Sequence, residues 1–592
     1  MAWVQDVKPP RSERLEFNLE DFSGGLNNRS TIIGTTESSF VLNMQFFHND
    51  VMEKRKGFKP IDDMVLDEPI SYLDLFKPYT EPDQLIRATS AEVYADKKKI
   101  ADVQGTIDAV NYQGMYLFCD GESMQAYGKF TEVTSTYVEI IGNHPKDYVV
   151  LTVTNPEEGY TPLDKVHQRG VTVYNYDKMT VHYEPCEHEL DDSYLGANLL
   201  PEHPRFIEVH KGRLFVSGDR KDDDNVFITN VTNPFYFAVG LPIQLPPNSD
   251  KVRGMTVYDD NVIVGREHDI YRITGETSNP LLGFELFSLR RVNSHTGIAN
   301  NKCMSVAHNH LFFLGSDGNV YSLTTVRMDE RLVSTRVISQ QLDIFKDPIN
   351  VTHDEVLDAS TVFDKDYLYV TIGDKTLVYS YRRMTWTMFD YVDIYSPLYY
   401  YDKLIWGRKN GKVVEWSENY LDDGRPIFCT WESKTFDFGS ATRYKQFREF
   451  FLVAHAWDDN DSDVRVTFEI DYADVKNAVT VENRIAYWGV AKFGDRFINR
   501  NINASVPFVI GRRARYMKIR ISNGFEFNHV VDKVIDLFDI PRKYNYMGAV
   551  VRETGLHYYY ENGKWIPLTE EQMTQPMRVY QINGEYEMKG RR

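Results

Sequence analysis

A recurring hairpin pattern constrains the fold of this chain more than any other feature of its sequence. Between residues 105 and 416, an alternating apolar run leads into a polar turn of two or three residues and then into a second apolar run. Alternation with a period of two residues around a short polar turn is typical of a β-hairpin. Copies of the pattern begin at Ile107, Phe206, Met255, Met304, Ser360 and Pro397. Three of them continue into a third strand, at residues 316–323, 373–380 and 409–416.

The spacing of these hairpins predicts a β-propeller at residues 61–130 and 201–425. From His210 onward, successive turns are about 48, 50, 56 and 37 residues apart, and four-stranded propeller blades typically take about 40–50 residues. The gap from Tyr112 to His210 is about twice as long, which indicates an insertion or an unrecognised blade. Residues 131–200 contain strand-like runs without the blade pattern, so we expect an inserted β domain there.

Another candidate hairpin lies near residues 84–100, which brings the expected number of blades to six or seven. After residue 416 the strands become longer and the loops more polar, which predicts a β-sandwich at residues 426–545. A C-terminal extension at 546–592 contains a hairpin at 556–566 and a candidate short helix at 569–574, and residues 1–60 form an N-terminal arm. Aromatic residues make up 14% of the chain, and they suit pleated, half-buried sheets.

The predicted fold class is therefore all-β: a six- or seven-bladed β-propeller with a β-rich insertion and a C-terminal β-sandwich. The alternative is a set of unrelated β-meanders packed as sandwiches.

The charge and the apolar runs exclude several classes of protein. The formal net charge is −19, which argues against a general nucleic-acid binder because gripping phosphate needs a basic surface. No run approaches the roughly 18 consecutive apolar residues of a membrane span, so we expect no stable membrane insertion. The first residues contain no signal-like apolar core. Four widely separated cysteines indicate a chain made in a reducing cytoplasm.

Two clusters offer possible metal ligands. Cys186 and His188, with His182 or His167, provide a tetrahedral nitrogen and sulfur set, but their spacing matches no standard zinc motif. Asp459, Asp461 and Asp463 resemble the first ligands of a calcium loop, which would also need glycine at position 464 and an acid at position 470, where the chain has valine and isoleucine. We interpret both clusters as polar loops and expect no metal.

Enzymatic signatures are also missing from the sequence. Propellers can host glycosidases, which need two suitably placed carboxyl groups, but none of the 86 acidic residues is singled out by its spacing. Neither a nucleophile elbow, nor a phosphate-binding loop, nor a dinucleotide fingerprint, nor a zinc-protease helix motif occurs. We therefore expect no enzyme and no cofactor.

The N-terminal segment carries the most specific motif of the chain. A glycine-rich turn contains Gly24, Gly25 and Asn27, a strand follows at Asn43, and a basic patch closes with Lys54, Arg55, Gly57 and Phe58. Paired glycines allow positive φ, and asparagine favours turns. We expect these residues to anchor the N-terminal arm, with Phe58 buried and Arg55 paired to an acid of this chain or of a neighbour.

This order of residues resembles the opening of many tailed-bacteriophage virion proteins of the tail-nozzle and head–tail-connector type, in which a similar segment precedes a β-propeller. The resemblance covers residues 16–60 closely, and the rest of the chain only in architecture. It implies a structural component of the virion tail, made in the cytoplasm of a bacterial host, that forms a ring around the DNA channel and takes part in head–tail assembly and genome ejection. The long insertion and the residues beyond 545 depart from the pattern and leave the position open between nozzle, tube and neck.

The implied partners are copies of the same chain, with six expected in the ring, and other tail or connector proteins. DNA would pass through the lumen without specific binding, and the charge of −19 suits a wall that repels it. Two alternatives remain at this point. One is a virion-surface propeller that binds a receptor or glycan through exposed aromatic rings, and the other is a propeller glycosidase.

Overall fold

The computed structural model is almost entirely β-structure. It describes residues 14–128, 149–153, 171–173, 201–454, 464–471, 479–481, 504–539, 548–567 and 577–589, apart from gaps at 31–32, 47–50, 80, 113, 202, 221–222, 230–241, 248–249, 276–286, 293, 295, 326–332, 511–512, 524–526, 532, 552–556 and 562–563. Within these residues, helix is confined to a short α-helix at His353–Leu357 and two 3₁₀ turns at Asn301–Cys303 and Val534–Asp539.

Seven antiparallel units, six with four strands and one with a fifth, form the blades of a β-propeller in the described residues, which confirms the fold predicted from the hairpin pattern. The first strand of each blade is its inner strand, and the inner strand of blade 7 contacts that of blade 1, so that the circle of blades closes. Each of the six sequence hairpins is the pairing of a first strand with a second strand.

The strands of the first four blades are as follows. Blade 1 comprises Tyr72–Phe76, Gln84–Ala88, Glu92–Ala95 and Lys98–Asp102; blade 2 comprises Asp108–Tyr112, Met115–Cys119, Met124–Gly128, Val149–Val153 and an additional Val171–Val173; blade 3 comprises Phe206–His210, Arg213–Ser217, Asn225–Ile228 and Ile243–Gln244; blade 4 comprises Val252–Tyr258, Asn261–Arg266, Ile270–Thr274 and Ser288–Arg291.

The strands of the last three blades complete the circle. Blade 5 comprises Met304–Ala307, His310–Leu314, Val320–Thr325 and Val333–Val337; blade 6 comprises Ser360–Asp364, Tyr367–Ile372, Lys375–Ser380 and Thr385–Asp390; blade 7 comprises Ser396–Tyr400, Lys403–Gly407, Lys412–Trp416 and, from the N-terminal segment, Phe58–Val65. A short hairpin, Leu421–Asp422 and Arg425–Pro426, follows blade 7 and pairs with Phe58–Val65.

The turns between first and second strands explain why the hairpins could be predicted from the sequence. In four blades both turn residues have positive φ: Lys211 and Gly212, Asp259 and Asp260, His308 and Asn309, and Tyr401 and Asp402. Two consecutive residues with positive φ are the geometry of a type I′ turn, whose twist matches that of the flanking strands. The polar residues of these turns therefore predicted the hairpins correctly.

A two-sheet sandwich lies beside the propeller, and its core contains residues of both sheets, such as Phe447 and Phe450 of the first and Trp431 and Ile519 of the second. The first sheet comprises Arg14–Leu19, Met44–Phe46, Met52–Lys54, Lys445–Ala454, Ala504–Val509, Arg513–Ala514 and Arg578–Met588; the second comprises Gly25–Leu26, Glu37–Leu42, Thr430–Ser433, Val464–Ile470, Val479–Val481 and Met517–Ser522.

The second sandwich sheet continues into the propeller. Glu37–Leu42 pairs in parallel with Thr385–Asp390, the outer strand of blade 6, and antiparallel with Thr430–Ser433 of the sandwich. One ten-stranded sheet therefore runs from the inner strand of blade 6 to the far edge of the sandwich. A strand near the N-terminus is thus the hydrogen-bonded link between the two parts.

Three of the domain boundaries expected from the sequence need correction. The segment at 1–60 is not a separate arm, because its strands belong to the sandwich and to blade 7. The segment at 546–592 is not merely an extension, because Arg578–Met588 pairs with both Lys445–Ala454 and Arg14–Leu19 in the sandwich. In the segment at 131–200, Val149–Val153 pairs with Met124–Gly128 and so completes blade 2, while most of the remaining residues lie outside the described part.

A small sheet ends the described chain before the last sandwich strand. It comprises Phe527–Val531, Gly548–Val551, His557–Glu561 and Lys564–Pro567, and the last two form the hairpin predicted at 556–566. The helix predicted at 569–574 lies outside the described residues. In the part of the chain that is described, no helix has the length and apolar character needed to cross a membrane.

Candidate functional site at the junction of propeller and sandwich

The eight residues singled out in the N-terminal segment lie where the chain passes between the sandwich and blades 6 and 7. Asn43 separates strand Glu37–Leu42 of the second sandwich sheet from Met44–Phe46 of the first. Arg55 and Gly57 lie between the sandwich strand Met52–Lys54 and the blade 7 strand Phe58–Val65. The motif therefore marks the two points at which the backbone changes sheet.

Gly24 and Gly25 permit two close approaches of the backbone, that of Gly25 to blade 6 and that of Gly24 to Thr36 in the same segment. Gly25 has a φ of 72°, and a Cβ atom added there would lie 2.7 Å from the carbonyl oxygen of Trp386. A Cβ on Gly24 would lie 2.6 Å from the backbone of Thr36. A larger residue at position 25 would push the segment away from the blade, and one at position 24 would push it away from Thr36, because in both cases the obstacle is backbone.

Asn27 and its neighbour Asn28 fix the turn that follows these glycines. The Asn27 amide donates to the carboxylate of Glu37 at 3.0 Å, and its oxygen accepts from the backbone of Ser30 at 3.1 Å. Asn28 exchanges hydrogen bonds of 2.8 Å with the backbone NH and carbonyl of Asp343, which precedes blade 6. Nothing in the sequence indicated this contact between Asn28 and the propeller.

Asn43 holds the first change of sheet. Its φ of 54° lies in the left-handed region, which asparagine tolerates better than most residues. The side-chain oxygen accepts from Arg55 Nε at 2.8 Å and from the backbone NH of Asp390 at 3.1 Å. The side-chain amide donates to the carbonyl of Phe428 at 2.7 Å and to the Asp390 carboxylate.

Arg55 is completely buried, and all five of its N–H donors are used. Nε donates to Asn43; Nη1 donates to Asp422 Oδ1 at 2.7 Å and to the carbonyl of Lys56 at 3.1 Å. Nη2 donates to Asp422 Oδ2 at 2.5 Å and to the carbonyl of Asp390 at 2.9 Å. We call Asn43, Arg55, Asp390 and Asp422 the junction cluster. The expected pairing of Arg55 with an acid is confirmed, and the acid belongs to the same chain.

Burial shapes the protonation of groups in and beside this cluster. Desolvation raises the pKa of Asp390 to about 6, although the Arg55 charge and the Asn43 amide act in the opposite direction. Desolvation also lowers the pKa of Lys54 to about 8. Lys54 is fully buried, with its amine 5.4 Å from the centre of the Tyr420 ring. The basic patch expected at residues 54–56 is therefore mostly interior rather than a charged surface.

Gly57 and Phe58 complete the passage into blade 7. A Cβ on Gly57 would lie 1.9 Å from the carbonyl oxygen of Leu421, so only glycine fits against that hairpin. Phe58 is buried, as predicted, with its ring edge-on to Trp406 at 5.7 Å and the guanidinium of Arg408 4.7 Å away. Phe58 is thus both the first residue of Phe58–Val65, the strand that completes blade 7, and an apolar anchor.

Three acids of this site, Asp390, Asp422 and Glu53, were not predicted from the sequence. Asp390 ends the outer strand of blade 6, Asp422 lies in the short hairpin after blade 7, and Glu53 accepts from Arg578 Nε of the last strand at 2.8 Å. Each of the three follows or lies within a short strand, and many other acids of the chain have the same local setting. No local signal distinguishes them, since their partners are hundreds of residues away.

The chemistry available at the junction is that of a structural connector. Arg55 and Asp422 are buried and bonded to each other, and the carboxylate of Asp390 accepts from the amide of Asn43. Among the residues that the structure describes, no group of three or more His, Cys, Asp or Glu is arranged to hold a metal ion. The candidate ligands Cys186, His188, His182, His167, Asp459, Asp461 and Asp463 lie outside the described ranges.

The fold and the junction define an all-β protein whose propeller is closed by an N-terminal strand and joined to a sandwich. Neither a protein-family profile nor a curated protein matches the chain. Among solved structures, it is similar to the Pan2 WD40 domain of Neurospora crassa, with 8% identity, a TM-score of 0.32, and coverage of 64% of this chain and 99% of that one.

Two further solved structures are similar at the same level. BBS1N in complex with ARL6DN has 9% identity and a TM-score of 0.33, with 62% of this chain and 98% of that one covered. PorZ, a surface component of the type-IX secretion system of Porphyromonas gingivalis, has 10% identity and a TM-score of 0.30, with 86% of this chain and 60% of that one covered. Likenesses this distant give no indication of a shared activity or ligand.

Proposed function

We propose that this protein is a structural component of a tailed-phage virion, which forms a ring of the tail around the DNA channel and takes part in head–tail assembly and genome ejection. The observation that carries the proposal is the position of the N-terminal motif in the structure. The residues that resemble the phage proteins are the residues that join the propeller to the sandwich. Because these residues have a structural role in this chain, we interpret the resemblance as one of architecture rather than as a chance run of glycine and asparagine.

The junction suits a subunit that must keep its shape under load. The link between sandwich and propeller consists of strand pairing along Glu37–Leu42, a buried ion pair between Arg55 and Asp422, and the closing strand Phe58–Val65. Close packing of this kind transmits force between two parts instead of letting them hinge. A component through which a genome passes needs that rigidity.

The charge suits a channel wall. With a net charge of −19, a ring of several copies presents DNA with a surface that repels phosphate, so that DNA slides without being held. We expect six copies in heterologous contacts that close into a ring, with further contacts to other tail or connector proteins. The chain needs neither an enzyme activity nor a cofactor for this role.

The oligomeric state and the DNA affinity of the purified protein test this proposal together. Native mass spectrometry and electron microscopy should find a closed ring, and duplex DNA should bind poorly at physiological salt. Because some ring components assemble only on a preformed connector, the same measurements should be repeated with the neighbouring tail proteins present. A chain that stays monomeric in both conditions, or that binds duplex DNA tightly, contradicts the proposal.

One observation favours a second candidate, a receptor- or glycan-binding propeller on the virion surface. Tyr79 and Tyr401 are 78% and 66% exposed, and both lie between the first and second strands of adjacent blades, 1 and 7, hence on the same face of the propeller. Exposed rings of this kind stack on sugars. A glycan array comparing wild type with Tyr79→Ser and Tyr401→Ser tests it, and binding that both variants abolish would favour this candidate over the ring.

A further inference from the structure

Three consecutive blades place a cation at the same point of their inner strands. Arg205, Arg253 and Lys302 each lie five residues before the last residue of the inner strand, which is residue 210, 258 or 307. Because the inner strands surround the axis of the propeller, the three cations lie together at one end of it, on the face opposite to the turns between first and second strands. We call them the cationic arc. The other four blades have uncharged residues at this point, namely Ser71, Ile107, Ala359 and Tyr395.

Arg205 is the member of the arc that is open to solvent. It is exposed, its backbone NH donates to the carbonyl of Ser217 at 3.2 Å, and its guanidinium lies 5.4 Å from the centre of the Phe206 ring. Within the described part of the chain, none of the five N–H groups of this side chain has an acceptor. A guanidinium that pairs with no carboxylate of its own chain can bind an anion from solution.

The charges nearest to Arg205 are mainly positive. Arg220 is in the loop that follows Ser217, the residue to which Arg205 is hydrogen-bonded, and Arg253 is near the start of the adjacent inner strand. Desolvation lowers the pKa of Arg205, and the charges of Arg253 and Arg220 lower it further. The opposing effect of Asp223 is the smallest of the four. An anion bound here would relieve the repulsion between the guanidinium groups.

Two acids at this rim already have partners. Glu267 accepts from Arg253 Nη2 at 2.7 Å, and Glu122 pairs with Arg220 and with the ring of His203. Arg253 nevertheless keeps its Nη1 without an acceptor among the described residues. The guanidinium groups of two adjacent blades therefore retain hydrogen-bond donors for an anion.

Lys302 adds charge to the arc rather than a direct contact. Its amine is buried 4.0 Å from the centre of the Tyr395 ring and has no hydrogen-bond acceptor in the part of the chain that is described. Burial lowers the pKa of Lys302 to about 8, so the amine is still mostly charged at neutral pH. It therefore contributes to the positive potential at this end of the propeller.

We propose that the cationic arc is a binding site for a small ligand with several oxyanion groups, of oligophosphate or polycarboxylate chemistry, which accepts hydrogen bonds from Arg205 and Arg253. The planar fork of a guanidinium matches the oxygens of both phosphate and carboxylate groups. Packed sheets are about 10 Å apart, so a ligand that contacts two blades needs more than one such group. The site does not depend on the ring proposed above.

Isothermal titration calorimetry on the full chain at low salt tests the site, with inorganic tripolyphosphate and citrate as the two probes. We expect saturable binding of at least one of them, and the tighter one assigns the chemistry of the ligand. Arg205→Gln should weaken that binding by about tenfold or more, because it removes charge-assisted hydrogen bonds. The matched control is Arg382→Gln, which removes the same charge from a surface pair with Asp366 in blade 6 and should leave the affinity unchanged.

Thermal unfolding provides a second measurement. The probe that binds should raise the melting temperature of wild type and of Arg382→Gln, because a ligand that binds only the native state stabilises it. At the same concentration it should raise that of Arg205→Gln much less. Failure of both probes to bind wild type, or equal affinities of the wild-type, Arg205→Gln and Arg382→Gln proteins for the probe that binds, would overturn the proposal.

Discussion

The guanidinium of Arg55 holds the carboxylate of Asp422, 367 residues further along the chain, through two hydrogen bonds of 2.7 and 2.5 Å. The two side chains are 0% and 6% exposed. Because the same guanidinium also binds Asn43 and the backbone of Asp390, one side chain joins the N-terminal segment, the end of blade 6 and the hairpin after blade 7.

Replacing Arg55 should destabilise the protein strongly. Arg55→Met leaves the Asp422 carboxylate buried without its partner, a change that typically costs about 3–5 kcal/mol. Adding Asp422→Asn should recover part of that loss, because the second change removes the unpaired charge. The control is Arg382→Met, which breaks a surface pair with Asp366 and should cost less than about 1 kcal/mol. Urea unfolding measures all three variants, and equal losses for Arg55→Met and Arg382→Met would contradict the role given to the junction cluster.

This ion pair also marks the limit of what the sequence reveals. The hairpins were predictable because each depends on a few adjacent residues, as at Asp259 and Asp260, where the turn geometry is local. The partner of Arg55 was not predictable, because periodicity describes the pattern of a strand but not its neighbour. For the same reason the pairing of Arg14–Leu19 with Arg578–Met588, the first and last strands described, left no signal in the sequence.

Gly25→Val should impair folding or assembly. Gly25 has a φ of 72°, where a β-branched residue is strongly disfavoured, and its Cβ would meet the carbonyl oxygen of Trp386 at 2.7 Å. Gly439→Val is the control, since Gly439 has a similar φ of 76° but its Cβ would meet no atom within 4 Å. Soluble yield and thermal unfolding provide the comparison. A Gly25→Val protein that folds and assembles as wild type does would remove the anchoring role from this glycine.

Lys54 should make stability rise with pH in the alkaline range. Burial lowers its pKa in the folded protein from 10.5 to about 8, so between these values the unfolded chain binds more protons and the folded state gains stability as the pH increases. Relative to Lys54→Met, which cannot titrate, wild type should gain up to about 3 kcal/mol across this window. Urea unfolding at several pH values measures the difference, and parallel profiles for the two proteins would show that Lys54 does not titrate there.

Removal of metal should leave the protein unchanged. The sequence offers Cys186 and His188 as the strongest ligand pair but no complete zinc motif. Dialysis against a chelator should therefore not alter the melting temperature. A decrease of several degrees that added zinc reverses would indicate a structural metal, because an ion that binds only the native state stabilises it by linkage.

Imaging of intact virus particles by electron microscopy, with this protein located by a tag or an antibody fragment, tests the central claim most directly. We predict a closed ring of copies, six in number, coaxial with the DNA channel of the tail and in contact with other tail or connector proteins. A single copy at the tip of a fibre, away from the tail axis, or the absence of the protein from the particle, would contradict the account.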